Sequence, residues 1–405
     1  MSLDFEKLTN EVDKMAQTAR ERQHRRRDRL EEVLTFLQEK QLAWDELARQ
    51  HDFIQKTVLG SNQPKPFRGS AVPLHMDENP LHSAFPFTAD NIPNQATLVS
   101  ADGSQIVPDR HAAFVYYLIN IGGIVYHHGR GQAPETFSEP TLEFPTEEEL
   151  DDAVFSNYAT VTIKRDLAEI GMLAEQACAN KAADIPLLAI MDQRLLYVPT
   201  GEISPQFKDE VIADWQREMR AIRECGAWLA GYIDSPRKSS VLTMLRHIHP
   251  DASPDNLKDM GEWTGLTDVD LFSRLLQPGD RSKIFQEVSF SQTRFRRENK
   301  VCFFYLNTGG KNIARVDLPI SVARNETAVQ AIHALLYDQC QILGQYPYVI
   351  ARADEMAVVQ RRDQEELEFR IGRRMDAYGL DTLETTSKAQ TKVYARSNKQ
   401  RHEGF

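Results

Sequence analysis

Apolar residues recur at the spacing of one helical face along the first 57 residues, which contain neither proline nor glycine. The pattern predicts an N-terminal helical arm over residues 1–57. Two sets of residues carry it: Leu8, Val12 and Met15, and then Leu30, Val33, Leu34 and Leu37. The basic stretch from Arg20 to Arg29 lies between the two sets. It is either the solvated face of a long helix or helical hairpin, or a surface for nucleic acid or a partner subunit.

Residues 58–95 differ abruptly in composition, with six prolines between Gly60 and Gln95. Proline lacks the backbone N–H that a helix interior or a central strand requires, so neither can continue through this segment. We therefore predict a long irregular connection between the helical arm and the main domain.

Short apolar runs bounded by polar residues or glycine predict the strands of a domain over residues 96–360. Leu98 and Val99 predict a buried strand that stops at a turn formed by Asp102, Gly103 and Ser104. The β-branched and aromatic residues of 112–126 predict two consecutive strands, broken at the glycine pair 122–123. The run IPLLAIMD, residues 185–192, predicts a strand covered on both faces. Further strands are predicted at 228–233, 301–306 and 314–319.

Segments with helical periodicity alternate with these strands and predict an α/β domain with a mixed sheet. The predicted helices cover residues 161–180, 207–225, 270–276 and 326–343, the last ending at Gly344. The acidic run 143–152 is either a solvated loop or the start of a helix. Beyond residue 360 the chain is highly charged and weakly patterned, so residues 361–405 are predicted to be a charged tail, partly helical and partly disordered.

The composition indicates a soluble cytoplasmic protein. A hydrophobic content of 41% in 405 residues is sufficient for a large buried core. No apolar run approaches the about 20 residues of a membrane span, and the charged N-terminus is unlike a secretory signal. The four cysteines stand far apart without a CxxC pair, which predicts a reducing compartment with neither a disulfide framework nor a zinc–cysteine site.

The formal net charge of −11 restricts how the chain can bind nucleic acid. Affinity for DNA comes largely from Lys and Arg side chains that neutralise phosphates. An acidic chain that acts on DNA therefore needs local basic patches, metal ions or a partner that delivers the substrate.

Four acidic residues stand where metal-ion chemistry would need them. Asp102 and Asp192 end buried apolar runs, Glu169 lies on the predicted helix between them, and Asp354 precedes a predicted C-terminal helix. If a central sheet brings them to one edge, their oxygen atoms favour Mg²⁺ or Mn²⁺, and two such ions could activate water for phosphoryl transfer. The spacing does not show that they converge, and Arg165 four residues before Glu169 is equally typical of a surface salt bridge.

An ordered set of motifs between residues 96 and 360 resembles the NurA nuclease family in its bacterial form. The motifs are LVSADGSQIVPDRH, LINIGGIVY, LLAIMDQRLL, AGYIDSPRKS, TDVDLFSRLLQPGDRS, ARVDLP and GQYPYVIARADEMAVV. The resemblance implies a ribonuclease H-like mixed central sheet flanked by helices. It also implies a DNA nuclease that depends on Mn²⁺ or Mg²⁺, with two ions, and resects DNA ends 5′ to 3′ in repair, with single-strand endonuclease activity as a further property. The implied partners are DNA, a second copy in a homodimer, and a HerA-type hexameric translocase ATPase.

The same resemblance assigns roles to the four acidic residues as metal ligands and catalytic groups. Asp102 matches the family's first metal-binding aspartate, and Asp192 matches the aspartate that ends a later strand. Glu169 best matches the helix glutamate, with Glu175 on the same predicted helix as the alternative. The family often has histidine where this chain has Asp354, and a carboxylate can also bind Mn²⁺.

Four basic residues are candidate contacts for the DNA backbone: Arg237, Lys238, Arg315 and Arg352. Each is equally compatible with an ordinary solvated position. The alternative function is that of a non-catalytic, nuclease-fold adaptor subunit of a DNA-translocase complex. The departure at Asp354 and the acidic net charge favour this alternative.

Overall fold

The computed structural model describes residues 6–61, 66–108, 114–145 and 157–380. Most of the acidic run 143–152 and residues 381–405 of the predicted tail lie outside these ranges. The chain forms two compact units, each assembled from separate stretches. Of the described residues, unit one contains 6–61, 66–94, 192–196 and 228–348, and unit two contains 95–108, 114–145, 157–191, 197–227 and 349–380.

The strands and helices are numbered here in chain order. The strands are β1 (Ser70–Pro73), β2 (Ala96–Ile106), β3 (Tyr117–His128), β4 (Glu135–Glu143), β5 (Leu187–Met191), β6 (Trp228–Ile233), β7 (Phe285–Val288), β8 (Val301–Gly309) and β9 (Asn312–Pro319). The helices are α1 (Thr9–Glu39), α2 (Trp44–Phe53), α3 (Tyr158–Ala179), α4 (Pro205–Glu224), α5 (Ser240–His247), α6 (Asp268–Leu275), α7 (Phe290–Thr293), α8 (Ile320–Ala323), α9 (Glu326–Leu343), α10 (Tyr348–Ala357) and α11 (Arg361–Ala377).

Unit two contains four neighbouring strands in the order β5-β2-β3-β4. Strands β2, β3 and β4 form an antiparallel meander, and β5 joins β2 in parallel after the crossover helix α3. All five residues of β5 are buried, as its continuous apolar run predicts. Three antiparallel strands, a helix and a strand parallel to the first are the ribonuclease H-like arrangement, so the predicted fold class is confirmed.

Two predictions within this sheet are wrong, because each took a glycine as the end of a strand. Strand β2 continues through Asp102 and Gly103 instead of turning there, and β3 continues through Gly122 and Gly123 instead of breaking. A Cβ atom at Gly122 would lie 2.1 Å from the backbone nitrogen of Ala357, and one at Gly123 would lie 2.1 Å from the Phe137 ring. These glycines therefore permit close approach of neighbouring elements within the sheet rather than ending strands.

Unit one contains the strand order β1-β7-β8-β9-β6, with the antiparallel pairs β8–β9 and β6–β9 among its contacts. The β8–β9 pair around Gly309 and Gly310 is confirmed, whereas β7 and α5 lie in sequence that carried no prediction of a strand or helix there. The C-terminal part of α1 contributes Leu30 and Phe36 to the core of this unit, in one hydrophobic cluster with residues of α5, α6 and β8. Residues 7–28 of the same region are exposed.

The cysteines correct a further expectation. Cys178, near the end of α3, forms a disulfide with Cys225, which directly follows α4. Cys302 and Cys340 are free and buried. A separation of 47 residues between the bonded cysteines gave no signal in the sequence, because only the packing of α3 against α4 brings them together. None of the helices in the described ranges has the length and hydropathy that a membrane span requires.

Candidate active site

Asp102 lies within β2, where its strand partner on β3 is Gly122. The carboxylate is partly exposed, and its Oδ1 accepts a hydrogen bond of 2.8 Å from the backbone N–H of Gly103. A Cβ atom at Gly103 would lie 2.7 Å from Oε1 of Glu169 and 2.8 Å from Cγ of Arg165. Glycine at this position therefore lets β2 and α3 approach until the two carboxylates are neighbours.

Helix α3 contributes three charged residues to the candidate site: Arg165, Asp166 and Glu169. Asn157 caps the helix by accepting a hydrogen bond from the backbone N–H of Ala159. Arg165 lies 2.7 Å from Oδ1 of Asp166 through Nη2, and 3.5 Å from Oε1 of Glu169 through Nε. Both carboxylates are buried, with exposed fractions of 8% for Asp166 and 5% for Glu169. The predicted salt bridge between Arg165 and Glu169 therefore exists, but its acidic end is buried.

The electrostatics of Glu169 set it apart from an ordinary surface glutamate. Burial raises the pKa of its carboxyl well above the usual value, and the neighbouring charge of Asp102 raises it further. Arg165 and a backbone hydrogen bond from Gly103 oppose this shift but do not cancel it. A divalent cation beside Asp102 and Glu169 would relieve the repulsion between them, and carboxylate oxygens are ligands that Mg²⁺ and Mn²⁺ prefer.

Asp166, which is not among the predicted site residues, also belongs to this cluster. Its Oδ2 accepts a hydrogen bond of 2.7 Å from the Tyr197 hydroxyl, and its Oδ1 contacts Arg165. The Tyr197 ring stacks on Trp215, with ring centroids 4.4 Å apart. Asp166 and Tyr197 thereby fix the guanidinium that faces Glu169. The signal available in the sequence was an aspartate three residues before Glu169, on the same face of the helix.

The structure gives the two remaining acidic candidates different environments. Asp354 is exposed and lies within α10, not before a helix as predicted. The last turn of α10 contacts β3, since the Ala357 carbonyl accepts a hydrogen bond of 2.8 Å from Asn120 Nδ2. Asp192, the residue after the end of β5, belongs to unit one. Its Oδ2 accepts a hydrogen bond of 2.7 Å from the Tyr346 hydroxyl of the same unit.

The contacts of the described residues thus join Asp102 with Glu169 and add Asp166. Within the described ranges, no three His, Cys, Asp or Glu side chains are arranged so that they could hold a metal ion together. Glu175 is exposed on α3, whereas Glu169 is buried beside Asp102. This difference favours Glu169 as the helix carboxylate of the site. The roles of all four predicted acids as metal ligands stay a prediction.

The basic candidates also differ in their surroundings. Arg237 and Lys238 are exposed in unit one, and Arg352 on α10 pairs with Glu355. Arg315 is fully buried. Its Nε lies 2.7 Å from Oδ1 of Asp317. We therefore replace the interpretation of Arg315 as a phosphate contact with a structural one, because its guanidinium is not accessible to DNA.

The raised pKa of Glu169 predicts how the stability of a Glu169→Gln variant changes with pH, relative to wild type, in the presence of EDTA. The folded state binds the Glu169 proton more tightly than the unfolded chain, whose pKa is about 4.3, so wild-type stability falls as pH rises from about 4 toward the folded pKa. The variant lacks this loss, so its stability relative to wild type should increase over that window, by at most about 1.4 kcal/mol per pH unit. Urea unfolding at successive pH values measures the difference. Glu175→Gln is the matched control, and a pH-independent offset for Glu169→Gln would contradict the assignment.

The chain matches one known protein family and is similar to several solved structures. The model of the NurA domain matches residues 96–359. The crystal structure of the NurA nuclease from Sulfolobus solfataricus has 13% sequence identity and a TM-score of 0.46, covering 73% of this chain and 86% of that chain. A second crystal structure of NurA has 10% identity and a TM-score of 0.38, covering 84% and 96%. LC9-RNase H1, a type 1 RNase H, has 16% identity and a TM-score of 0.21, covering 35% and 63%. A search of curated proteins gave no match.

Proposed function

This chain belongs to the NurA domain family, and from that membership we propose that it is a DNA nuclease that requires a divalent metal ion, Mn²⁺ or Mg²⁺. The observation that carries the metal requirement is the close approach of β2 and α3 at Gly103, which places the partly exposed Asp102 beside the buried Glu169. Burial and the neighbouring charge of Asp102 raise the pKa of Glu169. If Glu169 only formed a structural salt bridge with Arg165, the neighbouring carboxylate of Asp102 would not be needed. The pair supplies the hard oxygen atoms that such an ion binds.

In the proposed mechanism Asp102 and Glu169 would hold a divalent metal ion, and the assignment of Asp192 and Asp354 as further ligands stays a prediction from the family resemblance. When bound, such an ion would supply Lewis-acid polarisation of the phosphodiester and a lowered pKa for a water molecule. Arg165 orients the Glu169 carboxylate and is itself held by Asp166, so Arg165, Asp166 and Tyr197 are positioning residues. The Gly103 N–H fixes Oδ1 of Asp102 in the same way.

The proposal extends to the biological setting implied by the family resemblance. We propose 5′ to 3′ exonuclease activity, with single-strand endonuclease activity as a further property, in DNA end resection and repair in the cytoplasm. The proposed assembly is a homodimer that works with a HerA-type hexameric translocase ATPase. The net charge of −11 supports the need for a partner, because an acidic chain attracts DNA poorly by itself.

A cleavage assay of the purified chain tests this proposal. Single- and double-stranded DNA, labelled at either end, is incubated with Mn²⁺, Mg²⁺ or EDTA, with and without the translocase and ATP. We expect degradation that requires the metal, and the order in which labelled fragments appear gives the polarity. No cleavage in any arm, together with co-purification with the translocase, would favour the non-catalytic adaptor, which the aspartate at position 354 also supports.

A further inference from the structure

A small basic cavity lies at the start of α5 in unit one. The residues that line it are distant in the sequence from the residues proposed to bind metal. Its volume is about 280 Å³. The residues that line it include Arg68, Arg237, Lys238, Ser239, Ser240 and Glu287. We call this cavity the α5 pocket. Three of these side chains are cationic and two carry hydroxyl groups, which is a composition suited to an oxyanion.

The single acidic residue in that group does not neutralise the cations of the α5 pocket. Glu287 is 3% exposed, and its Oε2 lies 2.9 Å from Nη2 of Arg315. Its Oε1 lies 3.5 Å from Nη2 of Arg194. Burial alone would raise the pKa of Glu287, but these two guanidinium groups hold it below its usual value. The carboxylate is therefore ionised and already committed to the arginines behind the pocket.

The cations of the pocket carry an excess of positive charge. Within the described ranges, none of the three cationic side chains lies within ion-pair distance of a carboxylate; they are Arg68, Arg237 and Lys238. Although the Lys238 side chain is exposed to solvent, the surrounding protein partly desolvates its ammonium group and lowers its pKa. The charge of Arg194 lowers this pKa further despite the opposing effect of Glu287. An anion bound here would offset the mutual repulsion of these groups.

The serines provide the polar contacts that a tetrahedral anion needs. Ser239 and Ser240 are buried, with exposed fractions of 7% and 5%. Nε of Arg68 donates a hydrogen bond of 3.2 Å to Oγ of Ser239, which fixes this arginine at the pocket. The backbone N–H groups of Val241 and Leu242 already donate to the Asp268 carboxylate. Recognition would therefore use side chains and not the helix terminus.

We propose that the α5 pocket binds a phosphate group through Arg68, Arg237 and Lys238, with Ser239 and Ser240 as hydrogen-bond partners. This inference rests on the proposed function, because a nuclease meets phosphate as a terminal 5′-phosphate, as backbone phosphate of a strand, or as the free ion. The shared chemistry is that of an oxyanion held by fixed cations.

Equilibrium binding in EDTA tests the pocket independently of cleavage. A single-stranded oligonucleotide with a 3′ fluorophore is prepared with a 5′-phosphate or a 5′-hydroxyl, and anisotropy is measured over a range of salt concentrations. The pocket variant is the double substitution Arg68→Gln with Lys238→Gln, and the charge-matched control is the double substitution Lys181→Gln with Lys311→Gln, at two exposed positions that do not line the pocket. Inorganic phosphate serves as competitor, and thermal unfolding verifies that each variant folds.

We expect the pocket variant to bind about tenfold more weakly than wild type and the Lys181→Gln, Lys311→Gln control, with a salt slope reduced by about 0.7 for each phosphate that the protein no longer neutralises. A weakening confined to the phosphorylated strand identifies a terminal phosphate, and an equal weakening on both strands identifies backbone phosphate. Competition by inorganic phosphate in wild type but not in the pocket variant identifies the free ion. Equal affinity and salt slope for the pocket variant and the Lys181→Gln, Lys311→Gln control would overturn the proposal. A nuclease assay without cleavage would leave this binding result intact, so the two failures are distinguishable.

Discussion

The Asp102→Asn variant is expected to lose metal-dependent cleavage of DNA by about 10³-fold. Asparagine keeps the size of the side chain but removes the negative charge that would hold a cation beside Glu169. Stabilisation by a bound metal ion amounts to several kcal/mol, and each 1.4 kcal/mol corresponds to about tenfold in rate. Initial rates on end-labelled DNA with Mn²⁺ give the ratio. Asp214→Asn is the matched control, because Asp214 is a partly exposed aspartate on α4 of the same unit, paired with Arg217.

A second measurement on the same variant separates loss of metal from loss of fold. We expect Mn²⁺ to raise the melting temperature of wild type, because a ligand that binds only the folded state stabilises it. The Asp102→Asn variant should lose most of this increase and yet melt no lower than wild type in EDTA, since one of two repelling carboxylates is neutral. Equal Mn²⁺ shifts in both proteins would contradict a metal-binding role for Asp102.

The Arg315→Met variant is expected to lower the free energy of unfolding by about 3–5 kcal/mol. Arg315 is fully buried, with its guanidinium 3.7 Å from the centre of the Phe303 ring. Methionine preserves most of the apolar contact but leaves the carboxylates of Asp317 and Glu287, which are 0% and 3% exposed, without their buried cation. Urea unfolding at neutral pH measures the loss.

The pH dependence of this variant distinguishes stranded carboxylates from a packing defect. In wild type, Glu287 has a lowered pKa, so its contribution is present above the unfolded pKa of about 4.3 and is lost as pH falls through the folded pKa. In the variant the unpaired carboxyls take up protons more readily, so the difference from wild type should shrink as pH falls toward 4. Arg274→Met removes an exposed pair with Glu31 and should cost less than about 1 kcal/mol. A pH-independent loss for Arg315→Met would instead indicate a cavity.

Local patterns predicted most elements of the fold because periodicity is a property of neighbouring residues. The helices α3, α4 and α9 and the strands β5, β6, β8 and β9 lie where the sequence places them, within a few residues. Glycine is where this interpretation was wrong. Gly103 and Gly122 have the local signature of a turn, but each permits a close contact with a distant segment, a side chain of α3 in one case and the backbone of Ala357 in the other.

Charged residues were the least predictable part of the site because charge alone does not reveal burial. Arg315 and Lys238 look alike in sequence, yet the first is enclosed between strands with two carboxylates and the second remains exposed at the α5 pocket. Asp166 was overlooked because its role depends on Tyr197, a residue on a later segment that reaches it only in the folded unit.

The sequence by itself determined most of the helices and strands, the resemblance to the NurA family, and Asp102 and Glu169 as residues of interest. Each of these depends on residue type and short-range spacing. The tertiary structure decided that Asp102 and Glu169 are neighbours, that Asp166 and Tyr197 support them, and that Arg315 is enclosed. Contacts such as that between Asn120 and Ala357, separated by 237 residues, form only when the chain packs, because burial and hydrogen bonding then select among many locally equivalent positions.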